Sequence, residues 1–273
     1  MHPPSRVHPT AVIDPAARLA DDVRVDPFAV IDGPVRVGPG CVIRPHALLI
    51  GPTSLGADND VGPGVVLGDR PQHLKFDGSE GRLEVGDGNV FREHVTVNRG
   101  TAAPCGLTKV GSGNYFMAGS HVAHDCTVAD RCIFANGALI GGHCVIDDGV
   151  FLSGNVAVHQ HMRVGRLALL RGVSSTTKDI PPFIVQQDYN RVVGVNVVGM
   201  RRAGLTAEQI GGVRQAYRII FLQRKVMPVA LAEVEAKLGG IDTVAELVAF
   251  IRGSKRGINA TRVRNDRPRD EAA

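Results

Sequence analysis

The sequence predicts a β-solenoid of hexapeptide repeats that ends in a small helical domain. Three observations carry this reading. An aliphatic residue recurs every six positions, small residues recur in fixed phase with it, and the rhythm gives way near Ser174 to helical spacing. Stepping by six from Val7 meets Ile13, Leu19, Val25, Ile31, Val37, Ile43, Leu49, Leu55, Val61 and Leu67 without a miss. The phase fails at His73 and Ser79 and returns at Val85, Phe91 and Val97. A shift of register follows, and a second run extends from Val110 through Phe116, Val122, Val128, Phe134, Ile140, Ile146, Leu152, Val158 and Val164 to Leu170. With about a third of positions aliphatic, eleven such hits in a row arise by chance roughly once in 10⁵ trials.

The repeat unit explains its own geometry. Gly or Asp often follows the aliphatic slot, as at Gly38, Gly62, Gly111, Asp14 and Asp147, and both tolerate the backbone of a tight corner. The fifth position is small, as at Ala29, Cys41, Cys126, Cys132, Ala138 and Cys144. Each unit is therefore a short strand and a turn. Three units make an 18-residue triangular coil, and stacked coils bury a continuous core. Roughly nine coils account for residues 1–173, with loop excursions expected at 68–84 and 98–109, and loops on a rigid scaffold commonly carry function. Residues 174–203 read as a linker, broken at Pro181-Pro182, with Val192–Val198 extended. The helical domain is expected over 204–257. Thr206-Ala-Glu-Gln209 reads as a capping box, a second helix spans about 228–238, and a third starts near Asp242. Residues 258–273 read as a polar, frayed tail.

Composition excludes several classes. Thirty-three glycines in 273 residues, no Trp and 4% aromatic residues disfavour a helix bundle. With 44% hydrophobic and 21% charged residues the chain is globular, and its apolar runs are too short for a membrane span. No apolar segment follows the N-terminal Met-His-Pro-Pro-Ser-Arg, so no secretory signal is expected and the expected compartment is the cytoplasm. Five cysteines without a CxxC pair suit a reducing compartment. A net charge of +4 without aromatic interleaving gives no case for nucleic acid.

Stacking at 18-residue spacing places residues in columns. One holds His124, Gly142 and Gln160, and its neighbour holds Asp125, His143 and His161, with His121 just before them. A lone histidine is more often structural, but this density of imidazoles beside a carboxylate, an amide and a glycine N–H offers a base, an orienting acid and an oxyanion donor. Zinc held by three of these histidines is the competing reading. The cysteines fall in inward slots and read as structural.

The stretches His121-Val-Ala-His124-Asp125, Gly141-Gly142-His143, Ala157-Val-His159-Gln160, Arg99-Gly-Thr and Gly106-Leu-Thr-Lys-Val110 resemble the acyl-carrier-protein:UDP-N-acetylglucosamine O-acyltransferases, which open lipid A synthesis. Pro71-Gln-His-Leu-Lys-Phe76 stands where that family has its substrate loop, and Gly194-Val-Asn196 with Arg201-Arg202 resembles its junction with the helical end. The resemblance covers nearly the whole chain. It implies a left-handed β-helix, a homotrimer with active sites between subunits, and acyl carrier protein and a UDP-sugar as partners. It implies no cofactor beyond the phosphopantetheine of the donor, and no metal. His124 would be the general base, Asp125 its orienting partner and Gly142 the oxyanion donor. Gln72, His73, Lys75, His121, His143 and Gln160 would bind the sugar nucleotide. Asn196 and Arg202 would contact the nucleotide or the phosphopantetheine, and Gly172 would leave the acyl groove open for a long hydroxyacyl chain.

The chain departs from the family pattern at several positions. His73 replaces an aspartate, Asn98 a histidine found in some members, His161 an apolar residue, and Val198 and Ala203 polar ones. Imidazole for carboxylate reverses hydrogen-bond polarity at one sugar contact, so an N-acylated 3-amino sugar is the alternative product. A zinc-dependent solenoid hydratase is a weaker alternative, because His124-Asp-Cys lacks the His-x4-His spacing such enzymes resemble. A solenoid without catalysis leaves the converging histidines unexplained.

Overall fold

The computed structural model describes residues 6–78, 80–101 and 106–261. Strands of two to five residues alternate with tight turns and stack into three sheets of eleven, nine and eight strands, parallel except for the last strand of the first sheet and visited in rotation as far as Ser175–Thr176. Register confirms the 18-residue coil: Val25 pairs with Ile43, Leu139 with Ala157 and Ile146 with Val164. The aliphatic slots point inward. Ile31, Ile43, Leu49, Leu67, Ile140, Ile146 and Leu152 are fully buried, each contributing roughly 1.5–3 kcal/mol. On the eleven-stranded sheet, Phe91, Phe116 and Phe134 fill the inward slot in successive coils, with ring centroids 4.9 and 4.8 Å apart.

Both loop excursions leave the same edge, the corner between the second and third sheets. Asp60 pairs with Val90, thirty positions on rather than eighteen, so twelve residues are inserted without losing a coil. Twelve is two repeat units, which is why the six-fold phase returns after the insertion. Val90 pairs with Tyr115, twenty-five positions on, and those seven extra residues shift the phase. The excursions are shorter than the sequence suggests. Strand Val66–Asp69 runs into the first and strand Arg82–Val85 resumes directly after it, while the second lies between Thr96–Asn98 and Leu107–Val110. Cys105 lies outside the described residues.

The segment expected as a linker continues the solenoid. Strand Ser175–Thr176 stacks on Ala157–Val158, and Ile184–Gln187 stacks on Leu169–Leu170. The sequence conceals this for two reasons. Thr176, a polar residue, fills a slot elsewhere aliphatic, and Leu170 pairs with Gln186 after only sixteen positions. The strand Arg191–Val195 then turns back antiparallel. The extended reading of 192–198 fails beyond Val195, because Asn196 caps a short helix, α1 (Val197–Arg202). The helices α2 (Ala207–Tyr217), α3 (Met227–Leu238) and α4 (Asp242–Arg252) follow. Thr206 and Gln209 form a reciprocal capping box on α2. Arg166 binds Glu246 of α4 at 2.7 Å, tying the domain to the last coils. No helix among the described residues is long and apolar enough to cross a membrane.

The tail is not frayed at its start. Ile258 and Ala260 bridge to Asp179 and Arg191, and buried Asn259 donates to Thr176 Oγ1 at 3.1 Å.

Candidate active site

The corner between the second and third sheets positions the chemistry. Below the excursions it becomes a column of tight turns, at His124-Asp125, Gly142-His143 and Gln160-His161. The second residue of each turn is left-handed: Asp125 at φ 59°, His143 at 61° and His161 at 65°. Asp and His are among the residue types enriched there. The turns are laddered, His143 N donating to His124 O at 3.0 Å and His161 N to Gly142 O at 2.9 Å.

His124 and Asp125 form a buried pair. His124 is 5% exposed, and its Nδ1 lies 2.8 Å from Asp125 Oδ2. The same carboxylate accepts from the Thr101 hydroxyl at 2.8 Å and from the Thr101 N–H at 3.1 Å. Asp125 N–H donates to Thr108 Oγ1 at 2.8 Å. A carboxylate accepting from Nδ1–H fixes the tautomer in which Nε2 is free to take a proton. Gly142 lies directly beneath the ring, for a Cβ built there would fall 2.7 Å from His124 Cε1 and 2.8 Å from Nε2.

Other imidazoles surround the pair. His73, on the exposed first excursion, meets the His124 ring edge-on with centroids 5.4 Å apart. His143 meets it at 5.1 Å and points Nε2 to within 3.8 Å of Asp125. His161 stacks on His143 at 4.6 Å. His121 Nδ1 lies 2.7 Å from Thr96 Oγ1, and burial first, then the nearby His124 charge, lowers its pKa. Burial and the charge of His143 lower that of His161.

Likeness to known proteins places the whole chain in a family. The model for the second domain of UDP-N-acetylglucosamine O-acyltransferase matches residues 179–259, and the bacterial transferase hexapeptide model matches 16–51 and 107–142. An acyl-[acyl-carrier-protein]–UDP-N-acetylglucosamine O-acyltransferase from an Anaeromyxobacter strain is 49% identical over 92% of this chain and 98% of its own length. The chain belongs to the UDP-N-acetylglucosamine O-acyltransferases. Another such relative, from Stenotrophomonas maltophilia, is 45% identical over 92% of this chain and 96% of its own. The Francisella novicida UDP-N-acetylglucosamine acyltransferase structure superposes with a TM-score of 0.90 at 30% identity, covering 93% of this chain and 94% of that one. The Bacteroides fragilis enzyme gives 0.88 at 39%, covering 92% and 99%. The solenoid is accordingly the left-handed parallel β-helix of these acyltransferases.

Within one acyltransferase chain, the residues singled out in the sequence fall into separate groups. His73, His124, Asp125, Gly142 and His143 converge on one corner, with His161 stacked behind. Gln160 is exposed in the same column, and Gln72 and Lys75 are exposed on the first excursion. Gly172 lies on the corner between the first and second sheets, where a Cβ would meet only Gly154 O, at 3.4 Å. Asn196 lies beside the corner between the third and first sheets. There its Oδ1 accepts from Gly199 N and its Nδ2 donates to Leu167 O at 2.8 Å, so its side chain is committed to the fold. Arg202 is exposed at the end of α1. Sequence reasoning quoted Thr101 and Thr108 only within motifs. Their contacts with Asp125 depend on the second excursion rooting on the same corner, which no sequence spacing reveals.

Proposed function

We infer that this protein transfers a 3-hydroxyacyl chain from acyl carrier protein to the 3-hydroxyl of UDP-N-acetylglucosamine, the step that opens lipid A biosynthesis. The observation that carries this reading is the buried His124–Asp125 pair seated over Gly142. His124 Nε2 takes the proton of the sugar hydroxyl as its oxygen attacks the thioester carbonyl. The Gly142 N–H donates to the tetrahedral oxyanion. Collapse breaks the carbon–sulfur bond, and the imidazolium returns its proton to the departing phosphopantetheine thiolate. Asp125, held by Thr101, stabilises the imidazolium in between.

Gln72, His73 and Lys75 on the first excursion, with His121, His143 and Gln160, bind the sugar nucleotide. The open column at Gly154 and Gly172 supports a long acyl chain. Exposed Arg201, Arg202, Arg214, Arg218 and Arg224 suit an acidic carrier protein, whereas Lys225 is paired with Glu233. The reading carries with it a homotrimer in the cytoplasm. The test is acyl transfer from 3-hydroxyacyl carrier protein to UDP-N-acetylglucosamine. His124→Ala is expected to lower the rate about 10²–10⁴-fold, and a variant that keeps wild-type turnover would overturn the assignment.

His73 favours a second reading, N-acylation of a 3-amino sugar, because it places an imidazole edge-on to the base where a carboxylate is usual. A wild type and a His73→Asp variant that turn over UDP-N-acetylglucosamine equally would remove its support.

A further inference from the structure

The corner holds more imidazole than base chemistry uses. His73, His124, His143 and His161 form an unbroken run with ring centroids 5.4, 5.1 and 4.6 Å apart. One donor atom each from His124, Asp125 and His143 lie within 4.8 Å of one another. Tetrahedral zinc with bonds near 2.0–2.1 Å needs donors about 3.4 Å apart, so the 2.8 Å His124–Asp125 pair must open slightly and the 3.8 Å His143–Asp125 pair must close. Two features favour that adjustment. Asp125 is already fastened by Thr101, so the carboxylate is a fixed point. His73 sits on an exposed loop on another side of the His124 ring, free to supply a third imidazole from solvent. His161, face to face with His143, keeps that ring upright. Nitrogen and oxygen donors in this number suit a borderline divalent ion better than calcium or magnesium, which prefer oxygen alone.

We propose that His124, His143 and Asp125, closed by His73, form a binding site for a divalent transition ion of the zinc class, and that the bound ion shuts off acyl transfer. An ion shared with Asp125 takes His124 through Nδ1, which leaves the neutral ring's proton on Nε2, so that nitrogen no longer accepts the substrate proton. The inhibition rests on His124 being the base, whereas the binding does not.

The two parts are read separately. Metal-free protein is titrated with Co²⁺, the tetrahedral visible absorption is followed, and Zn²⁺ affinity is taken from its displacement. One ion per chain is expected, with affinity lowered about tenfold or more in His143→Gln and measurably in His73→Gln. Because His73 is exposed, its replacement leaves folding intact, which circular dichroism checks. Unchanged affinity in both variants, or no site at all, overturns the proposal. In the second part Zn²⁺ is expected to abolish wild-type transfer and a chelator to restore it, with His73→Gln needing more Zn²⁺. Full turnover with the site saturated overturns the inhibitory role. A wild type inactive on the UDP-sugar would count against the proposed reaction, while the Co²⁺ titration would still decide the site.

Discussion

A methyl group is enough to test how the His124 ring is held. Gly142 lies so close under His124 that the Cβ of alanine would press on Cε1 and Nε2. The ring must tilt away from Asp125, and small misplacements of a reacting group cost about 10²-fold in rate. Gly142→Ala is therefore expected to lower kcat by about that factor while leaving the circular dichroism spectrum unchanged. His121 makes a prediction about stability. Its folded pKa is depressed, by burial first and by His124 second. In the unfolded chain the imidazole protonates near 6.5. Above that pH both states are neutral and the group contributes nothing. As pH falls through about 6.5 the unfolded state gains the proton first, and stability is lost until the lower folded pKa is reached. The thermal midpoint should fall between about pH 7.5 and 5.5, and His121→Gln should show the smaller fall. At this scale the sequence was informative where column spacing is strict: His124, Gly142 and Asp125, His143 follow from counting eighteen. The contact of His73 with the base does not, since an irregular loop has no period to count.

At the scale of elements, the interior carries a polar ladder that the six-fold rhythm does not reveal. Asn59 Nδ2 donates to Gly56 O and Gly86 O, Asn89 Nδ2 donates to Asn59 Oδ1 at 3.0 Å, and Asn114 Nδ2 donates to Asn89 Oδ1 at 2.9 Å. Asn114 Oδ1 then accepts from Cys132 N at 2.7 Å. The three side chains are almost wholly buried. They span the coils that carry both insertions, where spacings of thirty and twenty-five hide the column from any search at eighteen. The ladder holds these coils in register and so fixes the roots of the two excursions that reach His124 and Asp125. Asn89→Ala leaves buried partners on both sides unpaired, at a cost of about 2 kcal/mol, expected as a lower thermal midpoint. Asn196 belongs to the same scale. Its cap on α1 and its bond to Leu167 O make Asn196→Ala cost about 1–2 kcal/mol, read as faster hydrogen exchange in α1.

For the whole molecule, one chain spreads the residues proposed for the site over three corners. His124 lies on one, Gly172 on the next, and Asn196 with α1 beside the third. Rotation through three sheets produces this separation. In the homotrimer proposed above, the corner of one prism faces a different corner of its neighbour, which would bring Arg202 of one chain toward His124 of another. The sequence could anticipate the solenoid, whose period is local, but not its packing, which depends on surfaces assembled from many coils. Light scattering is expected to give three times the 29.0 kDa of one chain. A sharper test pairs two weakened variants. His124→Ala and Arg202→Ala are each expected to be poorly active alone. Co-expressed, they place an intact His124 from one chain opposite an intact Arg202 from another in about a quarter of sites if mixing is random. Recovery of transfer in the mixed oligomer is the expected result, and mixed oligomers as inactive as either parent would place the whole site within one chain.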